Sequence, residues 1–181
     1  MGETQAVLDF WFVEHGPKDW FSGDAAFDQK LAERFAGLHA AVALGEAVEW
    51  RSTPEGRLAE IIVLDQFSRQ LHRGSSQAFA TDGMALVLAQ EAVAAGLDAG
   101  FEPQRRQFFY MPFMHSESLV VHEWALPRFE ALENPDLLSF ETGHLDLIRR
   151  FGRYPMRNKA LDRTSTPEEI AYMAEREGKM F

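Results

Sequence analysis

Phe27, Leu31, Phe35, Leu38 and Val42 recur at spacings of three and four within "AAFDQKLAERFAGLHAAVAL". Side chains return to one face of an α-helix at that interval, so the stripe predicts an amphipathic helix with these five positions toward a core. Asp24 or Ser22 precedes it as an N-cap. Similar patterns fill most of the chain. Thr4 caps "QAVLDFWF", which Gly16-Pro17 ends. Thr53 and Pro54 open "STPEGRLAEIIVLDQFSRQLHRG", closed by Gly74. Asp82 caps "GMALVLAQEAVAAG", closed by Gly96. Pro103 opens a helix through "QRRQFFYM" that Pro112 interrupts. Another helix runs from about Ser116 to Leu132, with a bend at Pro127, because proline removes a backbone donor and crowds the preceding turn. "PDLLSFETGHLDLIRRFG" ends at Gly152, and Thr166 with Glu169 forms a capping box for the last helix. No alternating run bounded by hairpin turns occurs. The expectation is an all-α single domain over residues 1–181 with about eight helices. Its core is expected to bury Phe10, Trp11, Phe35, Ile61, Leu64, Leu86, Phe108 and Leu147.

Composition narrows the function classes. The 181 residues are 46% hydrophobic and 25% charged, as in an ordinary globular protein, and 15 Phe with 4 Trp imply an aromatic core. Cysteine is absent, which excludes disulfides, a Cys-ligated zinc and a thiol nucleophile. "MGETQAVLDFWF" does not read as a secretory leader, and no apolar run approaches the roughly 18 residues that span a bilayer. These features predict a cytoplasmic protein with no membrane partner. The net charge of −10 argues against nucleic acid as a partner, which would need a broad basic face. Against that balance, "RRFGRYPMRNKALDR" (residues 149–163) gathers Arg149, Arg150, Arg153, Arg157, Lys159 and Arg163, six of the eighteen basic residues, with Asp162 as its single acid.

Three other stretches carry candidate chemistry. In "LDQFSRQLHR", Asp65 and Arg69 lie four residues apart on one helical face. They form either a solvated ion pair or a carboxylate held by arginine at a pocket wall. In "MPFMHSESLVVHE", His115 stands at the expected helix start, where it or Ser116 could cap free amides. His115 could also serve in acid–base chemistry. His122 returns to nearly the same face seven residues on, about two turns away, whereas zinc sites on one helix use a spacing of four. No metal and no cofactor are expected. His144, among Leu145, Leu147 and Ile148, reads as a structural histidine. Nucleophile-elbow, phosphate-loop and dinucleotide-binding motifs are missing.

The segments "LDQFSRQLHRG", "MPFMHSE" and "RFGRYPMRNKALDRTSTPEE", together with the N-terminal "FWF", resemble the bacterial family called domain of unknown function 924, in the family's order and over nearly the whole chain. The resemblance implies a helical fold similar to tetratricopeptide-repeat (TPR) proteins and brings no established activity. Its pattern picks out Asp65, Gln66, Arg69, Arg73, His115, Ser116, Glu117, His144, Phe151, Gly152, Arg153, Pro155, Arg157, Asn158 and Arg163. Met156 stands where the family pattern has His, Asp162 where it has Gly, and His122 where it has Gln.

Three functions compete on these residues. The first is a binding module for a small anionic molecule or an acidic peptide terminus, with Gln66, Arg69, Arg73, Arg153, Arg157 and Asn158 as ligand contacts. The planar guanidinium fork suits carboxylates and phosphates. The second is a hydrolase-type enzyme using Asp65, His115 or Glu117 as acid or base, with arginines stabilising negative charge. The third is a scaffold whose arginines brace helices internally. Binding is the leading expectation, and Arg153 and Arg157 are expected near Asp65, Arg69, His115 or Glu117.

Overall fold

A computed structural model describes residues 2–176. It is all-α, with no strand among the described residues. The helices are α1 (Glu3–Asp9), α2 (Pro17–Trp20), α3 (Ala25–Ala43), α4 (Pro54–Ile62), α5 (Ser68–Leu71), α6 (Asp82–Ala94), α7 (Pro103–Met114), α8 (Leu119–Glu130), α9 (Pro135–Phe151) and α10 (Pro167–Glu175). They fall into two compact units, Met1–Pro112 and Phe113–Phe181.

The first unit is built on aromatic rings. Wider π-helical turns follow α1 at Phe10–Glu14 and α4 at Val63–Phe67. Phe10, Trp11 and Phe67, carried by these turns, are buried. Phe35 of α3 lies 5.0 Å from Phe10 and 5.2 Å from Phe67, between ring centroids. Trp11 stacks on Trp20 at 5.6 Å, and the Trp20 indole donates to the Trp11 carbonyl. Phe108 meets Trp20 edge-on at 4.9 Å. Such offset and edge contacts add to the area term of the core.

Local signals read from the sequence operate at several ends. The Asp24 side chain accepts from Ala26 N–H, and that of Thr53 from Gly56 N–H. Thr166 and Glu169 form the expected capping box, and Gly152 closes α9 in the left-handed region. Other expectations are corrected. Helix α1 begins at Glu3 with Gly2 as its N-cap, ahead of Thr4, and Asp82 is the first residue of α6 and not its cap. The long 54–74 pattern is broken by the π turn. Pro112 does not interrupt α7, which continues past it for two residues to Met114. Helix α8 contains Pro127, as expected, and begins at Leu119, three residues later than Ser116. Leu38 and Leu86 are only half-buried. His39 takes the inner position on α3, where its Nε2 meets Ser68 Oγ at 2.7 Å, and Ala85, Leu88, Ala89 and Ala92 form the buried face of α6. Burial lowers the His39 pKa, and nearby His72 lowers it further.

Gly56 answers to a close approach. A Cβ there would sit 1.9 Å from the Trp50 carbonyl oxygen and 2.7 Å from its carbon, both main-chain atoms. Gly56→Ala is expected to destabilise by about 1–3 kcal/mol through forced displacement of the Trp50 turn. Urea unfolding checks this, and an unchanged midpoint would show that the turn yields freely.

In the second unit α8 and α9 pack together, with Asn134 capping α9 through Leu137 N–H. Leu147, Ile148 and Tyr154 form a buried cluster, with Phe151 and Tyr172 packed against it.

Candidate functional site

In the first unit the π turn carries Asp65 and Gln66, both buried. Widening the helix by one residue changes which carbonyls its own amides can reach. The Leu64 carbonyl accepts from Ser68 Oγ at 2.7 Å and Thr81 Oγ1 at 2.6 Å. Asp65 Oδ2 accepts from Gln66 Nε2 at 2.6 Å, and Asp65 Oδ1 lies 3.2 Å from Arg69 Nη1. Arg69 also donates to the Asp65 carbonyl and forks onto both oxygens of Asp82, at 2.9 and 3.0 Å. The spacing of four does bring Asp65 and Arg69 together, but in a partly buried three-residue network and not on a solvated face. Arg73 forks onto Asp28, with both bonds at 2.9 Å, and binds Gln70.

The second unit gathers the other candidates. His115 follows the end of α7 instead of opening α8, and Glu117 lies in the same short connection. Glu117 accepts from the Tyr154 backbone N–H at 2.9 Å, and both its oxygens accept from Arg163 Nη1, at 2.9 and 2.8 Å. Arg153 forks onto Glu169 at 2.6 and 2.8 Å and also donates to the Thr164 carbonyl. Asn158 Nδ2 donates to Ser165 Oγ at 3.0 Å and Glu169 Oε2 at 3.2 Å. Asn158 Oδ1 is buried without a partner. Arg150 pairs with Glu168, and Arg149 with Asp146. Much of the basic run therefore faces acids from other parts of the same unit. The single-acid composition of residues 149–163 hides this.

Asp162 has φ +52°, a left-handed conformation that glycine adopts freely and aspartate tolerates. Glycine is the residue the family resemblance leads one to expect there, and this turn supplies the physical reason. Met156 is exposed.

Tyr154 is the hub of the remaining groups. The Arg157 guanidinium lies 4.5 Å from its ring centroid, the His144 ring meets it edge-on at 5.4 Å, and His122 Nε2 is 3.0 Å from its hydroxyl. The hydroxyl donates to the Met114 carbonyl at 2.5 Å. His144 Nδ1 bonds the Phe140 carbonyl at 2.8 Å. Burial brings the His144 pKa down to about 4; its backbone bond opposes the shift, while His115, His122 and Arg157 add to it. Glu141 is buried against His122 Nδ1 at 2.6 Å, and burial raises its pKa more than the imidazole lowers it. Glu169 is held down at about 2, first by its Arg153 hydrogen bonds.

Sequence reasoning did not single out Tyr154, Glu141 or Glu169 as site residues. Glu141 lies one turn before His144 on α9, and that spacing was the available signal. Among the described residues no group of three or more His, Asp or Glu side chains could hold a metal ion, and no helix is long and apolar enough to cross a membrane.

A search of curated proteins returned no match. Among solved structures, a protein of unknown function from Agrobacterium tumefaciens is similar, at 38% identity with a TM-score of 0.91, over 95% of this chain and 97% of that one. The "LDQFSRQLHRG", "MPFMHSE" and "RFGRYPMRNKALDR" segments and the helical framework that carries them are those of one family: the chain belongs to the family described as bacterial protein of unknown function, DUF924, whose profile matches residues 7–177.

Proposed function

We propose that the second unit binds a small anionic ligand, a phosphate or a carboxylate, beside Tyr154, with Arg157 as the principal contact and His144 and His115 alongside. The observation that carries this reading is the stacking of the Arg157 guanidinium on the Tyr154 ring, 4.5 Å from its centroid. Stacking orients a planar fork, a shape that suits oxyanions. Burial first, and then His115, His122 and Arg157, disfavour positive charge at His144, and a bound anion would oppose the contribution of Arg157. In this reading Arg153, forked onto Glu169, and Arg163, whose Nη1 donates to both oxygens of Glu117, hold the loop that presents Arg157. Gln66, Arg69 and Arg73 brace the first unit. The hydrolase alternative loses support at Glu117, whose oxygens are taken up by Arg163 and the Tyr154 amide.

Phosphate, sulfate and a dicarboxylate are expected to raise the melting temperature of the wild type by mass action, because a ligand of the native state stabilises it by RT ln(1 + [L]/Kd). Arg157→Lys is expected to weaken that response several-fold, since lysine keeps the charge and loses the fork. Bound anion also favours the imidazolium, so the His144 titration followed by NMR should move upward from about 4. Equal anion responses in wild type and Arg157→Lys, with His144 unmoved, would overturn the proposal.

A further inference from the structure

The Glu141–His122 pair is buried behind Tyr154 and is not among the proposed anion contacts, and its hydrogen bonds constrain where its protons lie. Both side chains are fully buried. His122 Nε2 faces two oxygens: the Ser116 carbonyl at 2.9 Å, which can only accept, and the Tyr154 hydroxyl at 3.0 Å. The hydroxyl gives its own hydrogen to the Met114 carbonyl, so its oxygen is also an acceptor toward His122. Nε2 must therefore carry a hydrogen. Nδ1 meets Glu141 Oε1 at 2.6 Å, which admits either an imidazolium facing a carboxylate or a neutral imidazole accepting from a carboxylic acid.

Glu141 Oε2 decides between these. It is buried and has no hydrogen-bond partner. An ionised carboxylate would leave half its charge on that oxygen without a protein donor, whereas in the acid it is an ordinary carbonyl oxygen and much less costly to bury. The surroundings act in the same direction. His144 stands one turn along α9. The connection after α7 contributes His115 and Glu117, with Glu117 already bound to Arg163. The turn after α9 contributes Tyr154 and Arg157. An imidazolium at His122 would join a cluster that already holds the Arg157 guanidinium, stacked on the same Tyr154 whose hydroxyl faces His122.

We infer that Glu141 and His122 share a single proton, as a carboxylic acid donating to a neutral imidazole, and that the pair is a proton-operated latch on the connection carrying His115, Ser116 and Glu117. One chain of hydrogen bonds runs from Glu141 of α9 through His122 of α8 to Ser116, Tyr154 and Met114. Removing the shared proton sets a carboxylate oxygen against the Nδ1 lone pair. Adding a second proton creates a buried imidazolium beside a neutral acid. Either change breaks the latch, so the connection is held only between an acid and an alkaline limit.

The test uses the full chain in anion-free buffer, so that it stands apart from the reading of Arg157. Histidine-ring proton–nitrogen correlation spectra at pH 7 are expected to show His122 with a protonated Nε2 and a bare Nδ1; protonation of both nitrogens would overturn the inference. Glu141→Gln supplies an amide N–H to Nδ1 as the acid does, without a proton to lose. It is expected to melt within about 3 °C of wild type at neutral pH and to lack the alkaline fall in melting temperature expected of the wild type. A larger loss at neutral pH means that an imidazolium has been stripped of its carboxylate, and an alkaline fall matching wild type means that Glu141 operates no latch; each result sinks the inference.

Discussion

Replacing Phe67 with alanine is expected to lower the unfolding free energy by about 3–5 kcal/mol, within the range for deleting a fully buried aromatic ring. Phe67 is wholly inaccessible to solvent. Its ring centroid lies 6.1 Å from Phe10, 5.6 Å from Trp11 and 5.2 Å from Phe35, so one ring links α3 and both π-helical turns. The walls of the resulting cavity would be rings with little freedom to collapse, which puts the expected loss above that of an aliphatic truncation. Because Phe67 ends the turn that holds Asp65, the Asp65–Arg69–Asp82 network should loosen with it. Urea unfolding followed by tryptophan fluorescence reads the change next to Trp11. A loss below about 1 kcal/mol would show that the aromatic cluster repacks and that the π turn does not depend on this side chain.

Glu169→Ala is expected to cost about 2–3 kcal/mol at neutral pH and to flatten the acid limb of the stability curve. The Glu169 carboxylate is buried at 2% exposure and accepts from Arg153, Asn158 and the Thr166 N–H. Removing it orphans several donors at once. The loss stays below that of breaking a fully enclosed ion pair because the Arg153 side chain keeps 28% exposure and can turn to water. The pH dependence follows from the depressed pKa, about 2 in the folded chain against 4.5 for the unperturbed group. A carboxylate with a depressed folded pKa stabilises fully above its unfolded value, and that contribution is lost as pH falls through the folded one. Wild type should therefore lose stability between about pH 4.5 and 2 more steeply than Glu169→Ala. Parallel acid limbs would show that Glu169 is not the group whose ionisation holds residues 153–166 in place.

The two substitutions test different kinds of support. Phe67 acts through packing within its unit, and Glu169, on α10, through charge and hydrogen bonds to the loop before that helix. The loop carries Arg157. Its geometry depends on Glu117 and Glu169, which lie far from Arg157 along the chain or on the next helix, so weakening either acid should lower any stabilisation by phosphate under the proposed reading without touching Arg157 itself.

The helical class and many of the helix ends were legible in the chain because they are local properties. A stripe such as Phe27, Leu31 and Phe35 needs only its own spacing to define a buried face, and Asp24, Thr53, Gly152 and the Thr166–Glu169 box act within a few residues of themselves. The family resemblance also rests on contiguous segments. The tertiary structure decided what local spacing cannot hold. Leu38 yields its core position to His39 because Ser68, 29 residues away, supplies a hydrogen-bond partner. The 54–74 pattern widens at Val63–Phe67, where Ser68 and Thr81 satisfy the Leu64 carbonyl. Arg153 and Arg163 read as excess positive charge until the fold brings them to Glu169 and Glu117, 16 and 46 residues away. His122 and Glu141, 19 residues apart, meet only because α8 and α9 pack together. Helix propensity and capping depend on neighbours in sequence, whereas burial and charge pairing depend on neighbours in space, and the candidate site is made almost entirely of the second kind.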